Sequence, residues 1–150
     1  MNYRIAYSFG FHPWEDAAAD PPFVAKITEL FEREEEGRQP PYGAVLDIGT
    51  GSAIWGVELA KRGWQVTGID IVEKALARGR ERASAAGVDI NFVQGDVTKL
   101  EHADLGAGFR LVLDSGTFHD FDEAQQMAMG QGITAVAAPD ATLLLLVWPK

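Results

Sequence analysis

The stretch Ala44-Val45-Leu46-Asp47-Ile48-Gly49-Thr50-Gly51-Ser52-Ala53 decides the fold. Its first five residues, apolar except for Asp47, read as a short strand buried on both faces. Gly49-Thr50-Gly51 then reads as a tight turn, since glycine enters left-handed backbone at no steric cost. Over 52–62, Ile54, Trp55, Leu59 and Ala60 fall at helical spacing, and Gly63 ends the run. The pattern repeats downstream. Residues 64–69 predict a second strand ending at Asp70, and the Ala-, Arg- and Glu-rich 72–86 a second helix stopped by Gly87. Residues 90–93 predict a third strand, followed by Gly95-Asp96, and 109–113 a fourth ending at Asp114. A helix over 123–138, with Met127, Ile133 and Val136 inward, closes before Pro139, and 142–148 is a fifth strand.

Upstream, residues 1–22 are aromatic and irregular in pattern. Pro21-Pro22 suits a helix start, and Val24, Ile27, Leu30 and Phe31 recur at helical spacing behind it. Glu34-Glu35-Glu36 reads as a solvated run near that helix's end, and 37–41 as a loop. Apolar strands alternating with helices imply a parallel sheet covered on both faces, and right-handed crossovers make it doubly wound. The expected fold class is therefore α/β with a Rossmann-like, mostly parallel sheet in one domain over 1–150. Residues 1–42 form its N-terminal segment and helix, and 43–150 its core.

Composition bounds the chemistry. The chain has 150 residues, 47% of them apolar, with 13 Lys and Arg against 22 Asp and Glu, a formal charge of −9. That balance argues against a nucleic-acid partner, whose phosphates need clustered cations. The absence of cysteine removes disulfides, thiolate metal sites and a cysteine nucleophile. The longest apolar run, 141–148, is about half of the ~20 residues that span a bilayer, so no membrane partner is expected. Nothing at the start reads as a signal peptide, and a cytoplasmic location is the expectation.

In open α/β sheets, ligands bind beyond the carboxyl ends of the strands. Asp47, Asp70, Asp96 and Asp114 all stand in or beside such ends. A dinucleotide fingerprint requires a third glycine where this chain has Ile54, and Asp47 would set negative charge beside a pyrophosphate. A cationic ligand reverses that argument, because a carboxylate attracts a sulfonium and desolvation strengthens the attraction. Asp70 is placed like the acid that accepts hydrogen bonds from a ribose diol. The residues favour a positively charged nucleoside over NAD or FAD.

Four segments together resemble the class I S-adenosylmethionine-dependent methyltransferases. Val45-Leu46-Asp47-Ile48-Gly49-Thr50-Gly51-Ser52-Ala53 is similar to their first motif, with Ala53 in place of its last glycine. Val66-Thr67-Gly68-Ile69-Asp70, Gln94-Gly95-Asp96-Val97 and Phe109-Arg110-Leu111-Val112-Leu113-Asp114 resemble the second, third and fourth. The resemblance implies S-adenosyl-L-methionine as cofactor. It gives Asp47 and the backbone of Gly49, Thr50 and Gly51 to the methionine portion, and Asp70 with the adjoining Ile71 to the ribose. Asp96 and Val97 go to the adenine, and Asp114 and Ser115 to the amino-acid end and the acceptor. Phe11-His12-Pro13-Trp14-Glu15 before Pro21-Pro22 resembles a subset acting on small molecules, in which the N-terminal segment is a lid over the cofactor. The alternative is that Trp14 and Phe11 simply pack on the helix behind them.

The implied function is methyl transfer to a small-molecule acceptor; the alternative is a nucleoside-binding domain without turnover. His119, with Asp120 as a possible partner, is the candidate base, or else a structural histidine, and Asp114 is the second catalytic candidate. No metal is expected, because helix capping accounts for Asp120 and Asp122 more simply than ligation does. Lys74, Arg78, Arg80 and Arg82 read as a solvated helix face paired with Glu73 and Glu81. The family continues into an antiparallel hairpin that falls outside this sequence, which is expected either to be truncated or to do without it. The fifth strand is therefore expected to present an apolar edge that pairs with another chain, as in a homodimer.

Overall fold

The computed structural model describes residues 2–148. Five parallel strands form one sheet in the order β3-β2-β1-β4-β5. They are β1 (Ala44–Ile48), β2 (Gln65–Asp70), β3 (Ile90–Gln94), β4 (Phe109–Ser115) and β5 (Ala137–Leu146). Helices α3 (Ile54–Arg62), α4 (Glu73–Ala86) and α5 (Glu123–Val136) connect them, with a 3₁₀ segment over Val97–His102 between β3 and β4. Ahead of the sheet stand α1 (Tyr3–Ser8), a 3₁₀ segment over Pro13–Ala19, and α2 (Pro21–Glu35), which Asp20 caps through the Phe23 N–H. Among the described residues no helix is long and apolar enough to cross a membrane.

Pleat alternation sorts the core onto two faces. Val45, Val66, Leu111 and Leu113 pack with Ile27 and Phe31 of α2 and Leu59 of α3. Leu46, Ile48, Ile69 and Val112 pack on the opposite side with Leu100 and with Met129 and Val136 of α5. The sheet order reverses direction between β1 and β4, so the crevice beyond their tips is where a ligand belongs.

Several sequence expectations change. Residues 2–22 are not irregular throughout, since α1, the 3₁₀ segment and the start of α2 take up most of them. The helix expected from 52 begins at Ile54, with Ala53 in left-handed backbone (φ +61°) and wholly buried against Val57 and Ala83. Met127 is 61% exposed, and Met129 takes the inward place assigned to it. α5 stops at Val136 and β5 follows without a loop, because the residue before Pro139 is driven out of helical backbone. An edge strand then tolerates the proline, at an irregularity in the pairing with β4. The expectation of a strand buried on both faces fails for β5. Leu144 and Leu146 enter the core while Leu143 and Leu145 are exposed, and the strand pairs only with β4 among the described residues.

The charged runs are also not idle. Glu35 accepts two bonds from the Arg62 guanidinium (2.8 and 2.6 Å) and one from the Trp64 indole (3.0 Å), tying α2 to the end of α3. Arg80 does pair with Glu73, but Arg78 reaches Glu15 (3.0 Å) and Arg82 the Ser52 carbonyl (3.0 Å). α4 thereby anchors both the N-terminal segment and the first turn.

Candidate functional site

Beyond the tips of β1, β2 and β4 lies a cavity of about 630 Å³, within the usual range for small-molecule sites. Its floor is the turn Gly49-Thr50-Gly51-Ser52 together with Asp70 and Ile71. Gly49 and Gly51 both have positive φ (+61° and +57°). A Cβ on Gly49 would stand 2.1 Å from Thr117 Oγ1, and one on Gly51 2.7 Å from Tyr7 Oη, so only glycine leaves the turn room. The Gly51 N–H donates to one Asp70 oxygen and the Val72 N–H to the other, both at 2.9 Å. Burial raises the Asp70 carboxyl above its ordinary range, and those backbone donors hold it back.

On the β3 side, Gly95, Asp96, Val97 and Thr98 line the cavity. Asp96 accepts from both the backbone and hydroxyl of Thr98 (2.9 and 2.7 Å), which keeps it below the usual carboxylate range and ionised. On the β4 side, Ser115, Gly116, Thr117 and His119 line it. The wall is closed by Phe23, Trp55, Phe121 and Trp148, with Phe23 and Trp148 rings 5.0 Å apart.

The N-terminal segment forms the roof. Tyr3, Tyr7, Trp14 and Glu15 line the cavity, with Trp14 edge-on to both tyrosines (5.2 and 5.4 Å) and donating to Tyr7 Oη. Trp14 therefore packs on α1 rather than on α2, and Phe11 is 58% exposed. Ser52 donates to Glu15 at 2.6 Å, and Tyr3 donates to Asp120 at 2.5 Å, so the roof is pinned at both sides of the cavity. Asp120 is thus an acceptor for Tyr3. Asp122 is the helix cap, accepting from the Gln125 N–H in a capping box.

Two sequence-chosen acids stand behind the wall. Asp114 is fully buried and does not line the cavity; it accepts the Thr117 and Phe118 N–H groups, each at 2.9 Å, and so fixes the turn carrying His119. Asp47 is 1% exposed and also off the cavity, on the β1 face beneath α3. Thr50 donates to its Oδ2 at 2.6 Å, while its Oδ1 has no partner. Burial pushes Asp47 up to about 7, and the nearby charges of Asp114 and Asp70 add to that rise. His119 Nδ1 accepts the Trp148 N–H at 3.3 Å, and its Nε2 lies 3.7 Å from Asp120.

Of the sequence-chosen residues, Gly49, Thr50, Gly51, Asp70, Ile71, Asp96, Val97, Ser115 and His119 line one cavity. Tyr3, Tyr7, Phe23, Trp55, Gln125 and Trp148 line it too and were not singled out. Clustering of aromatic residues near the start was the one available signal for the tyrosines. Among the described residues that line the cavity there is no Lys or Arg, whereas Glu15, Asp70 and Asp96 are acidic. The arrangement suits a ligand that is polar at one end, cationic, and apolar or aromatic where it meets β4 and β5.

Comparison with known proteins agrees with that chemistry. A family model described as "Methyltransferase domain" matches residues 45–140. The 2-heptyl-1-hydroxyquinolin-4(1H)-one methyltransferase of Mycobacteroides abscessus is 30% identical over 139 residues, which cover 91% of this chain and 60% of that one. The demethylmenaquinone methyltransferase of Deinococcus radiodurans is 34% identical over 108 residues, covering 70% and 43%. The chain therefore spans about three fifths or less of these relatives. In fold, the solved DhpI–SAM–HEP complex matches with a TM-score of 0.65 at 20% identity, over 94% of this chain and 60% of that one. With the family model covering most of the chain, and the sheet order and strand-tip acids as described, the chain belongs to the class I S-adenosylmethionine-dependent methyltransferases.

Proposed function

We propose that the chain binds S-adenosyl-L-methionine in this cavity and transfers its methyl group to a small-molecule acceptor. The observation that carries the reading is electrostatic: Asp70 stands at the cavity floor, Asp47 and Asp114 are buried behind it on the adjacent strands β1 and β4, and no Lys or Arg among the described residues lines the cavity. Such a site is short of positive charge, and a sulfonium supplies it. Asp70 has spare lone pairs on both oxygens for a ribose diol, and Asp96 with Val97 flanks the space for an adenine. Gly49, Thr50, Gly51 and Ser115 remain for the methionine portion. Asp47 and Asp114 act from behind the wall, by field and by holding turns, rather than by contact.

The bound cofactor supplies an electrophilic methyl, and the protein's part is to orient the acceptor and exclude water. The roof of Tyr3, Tyr7 and Trp14 serves the second purpose, in keeping with the lid expected of the N-terminal segment ahead of α2. The aromatic wall of Phe23, Trp55, Phe121 and Trp148 suits a flat, apolar acceptor, and the two relatives are named as methyltransferases of a hydroxyquinolinone and of demethylmenaquinone. His119 would deprotonate an acceptor hydroxyl. While Nδ1 accepts the Trp148 N–H, the ring proton of neutral His119 sits on Nε2, so base action requires the Trp148 end of the chain to shift. Asp114 positions that histidine through the turn it holds.

Calorimetry checks the reading. Micromolar binding of both S-adenosylmethionine and S-adenosylhomocysteine is expected, with no binding of NADH; heat with NADH alone would overturn it. Two further proposals concern surroundings. A cytoplasmic location suits a small-molecule enzyme and is checked by fractionation. The β5 edge, with Leu143 and Leu145 exposed, would pair two copies. Light scattering should give a dimer that Leu143→Lys with Leu145→Lys converts to monomer; a wild-type monomer at high concentration would contradict this.

A further inference from the structure

We infer that Asp47 is the residue by which the site tells a positively charged ligand from its neutral product: it holds a proton when the cavity lacks a cation and yields that proton to solvent when a cation enters. The inference rests on the proposed cofactor. Three acids on adjacent strands, Asp47 and Asp114 buried and Asp70 partly so, differ in their partners. Asp70 has a backbone N–H on each oxygen, from Gly51 and Val72. Asp114 likewise has Thr117 and Phe118. Asp47 has the Thr50 hydroxyl on Oδ2 and nothing on Oδ1, although it is 1% exposed. A buried carboxylate with an empty oxygen is the costliest of the three to keep charged, so it is the one that protonates.

The groups facing Asp47 agree. From β4 comes the charge of Asp114, from β2 that of Asp70, and both oppose its ionisation. From the turn comes the Thr50 hydroxyl and from α3 the Gly56 N–H, which favour ionisation but do not outweigh burial. A Cβ on Gly56 would lie 3.2 Å from Asp47 Oδ2, so α3 closes over the carboxyl and shuts out water. Its balance point near 7 places the group where a single added charge decides its state. Thr50 lines the cavity and donates to Asp47, so a cation in the cavity lies one side chain from the carboxyl. At that range and burial a unit charge shifts the equilibrium on the order of ten-fold.

Loss of the methyl removes the positive charge from sulfur, and Asp47 then regains a proton. The site should therefore hold the sulfonium more tightly than the thioether, by a margin that grows with pH through neutrality.

The test is titration calorimetry of the wild-type chain with S-adenosylmethionine and with S-adenosylhomocysteine, each in two buffers of different protonation enthalpy. Expected is net release of about 0.4 proton per sulfonium bound at both pH 7 and pH 6, with a maximum of about 0.5 midway between them, and less with the thioether. In Asp47→Asn that release should vanish, and the ratio of sulfonium to thioether affinity should fall about five-fold at pH 7 and about ten-fold above pH 8. Equal proton release with both ligands, or release undiminished in Asp47→Asn, would overturn the inference while leaving the cofactor assignment intact. Binding of neither ligand would remove the assignment and the inference together. The wild-type comparison stands whether or not the variant folds.

Discussion

Around β1, β2 and β3 the cavity is made of backbone turns and of acids that hold them; around β4 and β5 it is made of side chains that arrive from opposite ends of the chain. Asp70 fixes Gly51 and Val72, and Asp96 fixes Thr98 two residues on. Apart from Gly51, those partners lie within a few positions of the acid. On the other side Tyr3 meets Asp120 across 117 positions, Phe23 stacks near Trp148, and the Trp148 N–H reaches His119. The first half is short-range and preorganised, as recognition of one invariant ligand requires. The second is long-range and aromatic, and it changes whenever a distant segment changes, which suits an acceptor site.

The largest expected effect lies in the first half. Asp70→Ala removes two hydrogen bonds to the ribose, each worth roughly 1.5–3 kcal/mol when charge-assisted, so cofactor affinity should fall at least about 100-fold by calorimetry. A fall of less than five-fold would place the nucleoside elsewhere. In the second half, His119→Gln should lower kcat for a hydroxyl acceptor about 100-fold, the low end for a general base, with cofactor affinity unchanged. Unchanged turnover across an acceptor panel would make the histidine structural.

The two halves touch where Gly49 faces Thr117, with 2.1 Å between the would-be Cβ and the hydroxyl. Gly49→Ala should therefore cost about 1–3 kcal/mol in denaturant unfolding, and Thr117→Gly should restore part of it. Full additivity of the two changes would show that the halves do not meet there. The remaining expected effect is on the pH dependence of stability. Asp47 sits near 7 in the folded chain against 3.8 as its ordinary value. Between those limits the folded state binds more protons than the unfolded one, so stability falls as pH rises from about 4 through 7. Asp47→Asn should flatten that decline in Tm between pH 5 and 8, incompletely, because burial raises Asp70 and Asp114 too. A slope as steep as wild type would mean that Asp47 is not the proton's holder.

The same contrast explains what was legible in the sequence. Strands, their parallel order and the tip acids follow from local pattern, because a buried strand and a glycine turn each write their signature within ten residues. Asp70 and Asp96 could be placed on the cavity for that reason. Asp47 could be marked as important but not placed behind the wall, since period-2 alternation does not say which neighbour covers a face. On the β4 and β5 side the local pattern singled out His119, Ser115 and Asp114, the last of which stands behind the wall. Tyr3, Phe23, Trp55 and Trp148 come together through tertiary packing that no spacing announces, and the short α1 is held by its contacts with Asp120 and Trp14 rather than by its own propensity. Met127 shows the limit even within a helix: the apolar stripe of α5 is weak, and packing chose Met129 instead.

A crystal structure of the chain with S-adenosylhomocysteine tests the central claim most directly. Expected is density beyond the β1, β2 and β4 tips, with the ribose hydroxyls on Asp70, the adenine beside Asp96 and Val97, and the sulfur toward Ser115 and the aromatic wall. A nucleoside bound outside this cavity, or bound with Asp70 facing no hydroxyl, would contradict it.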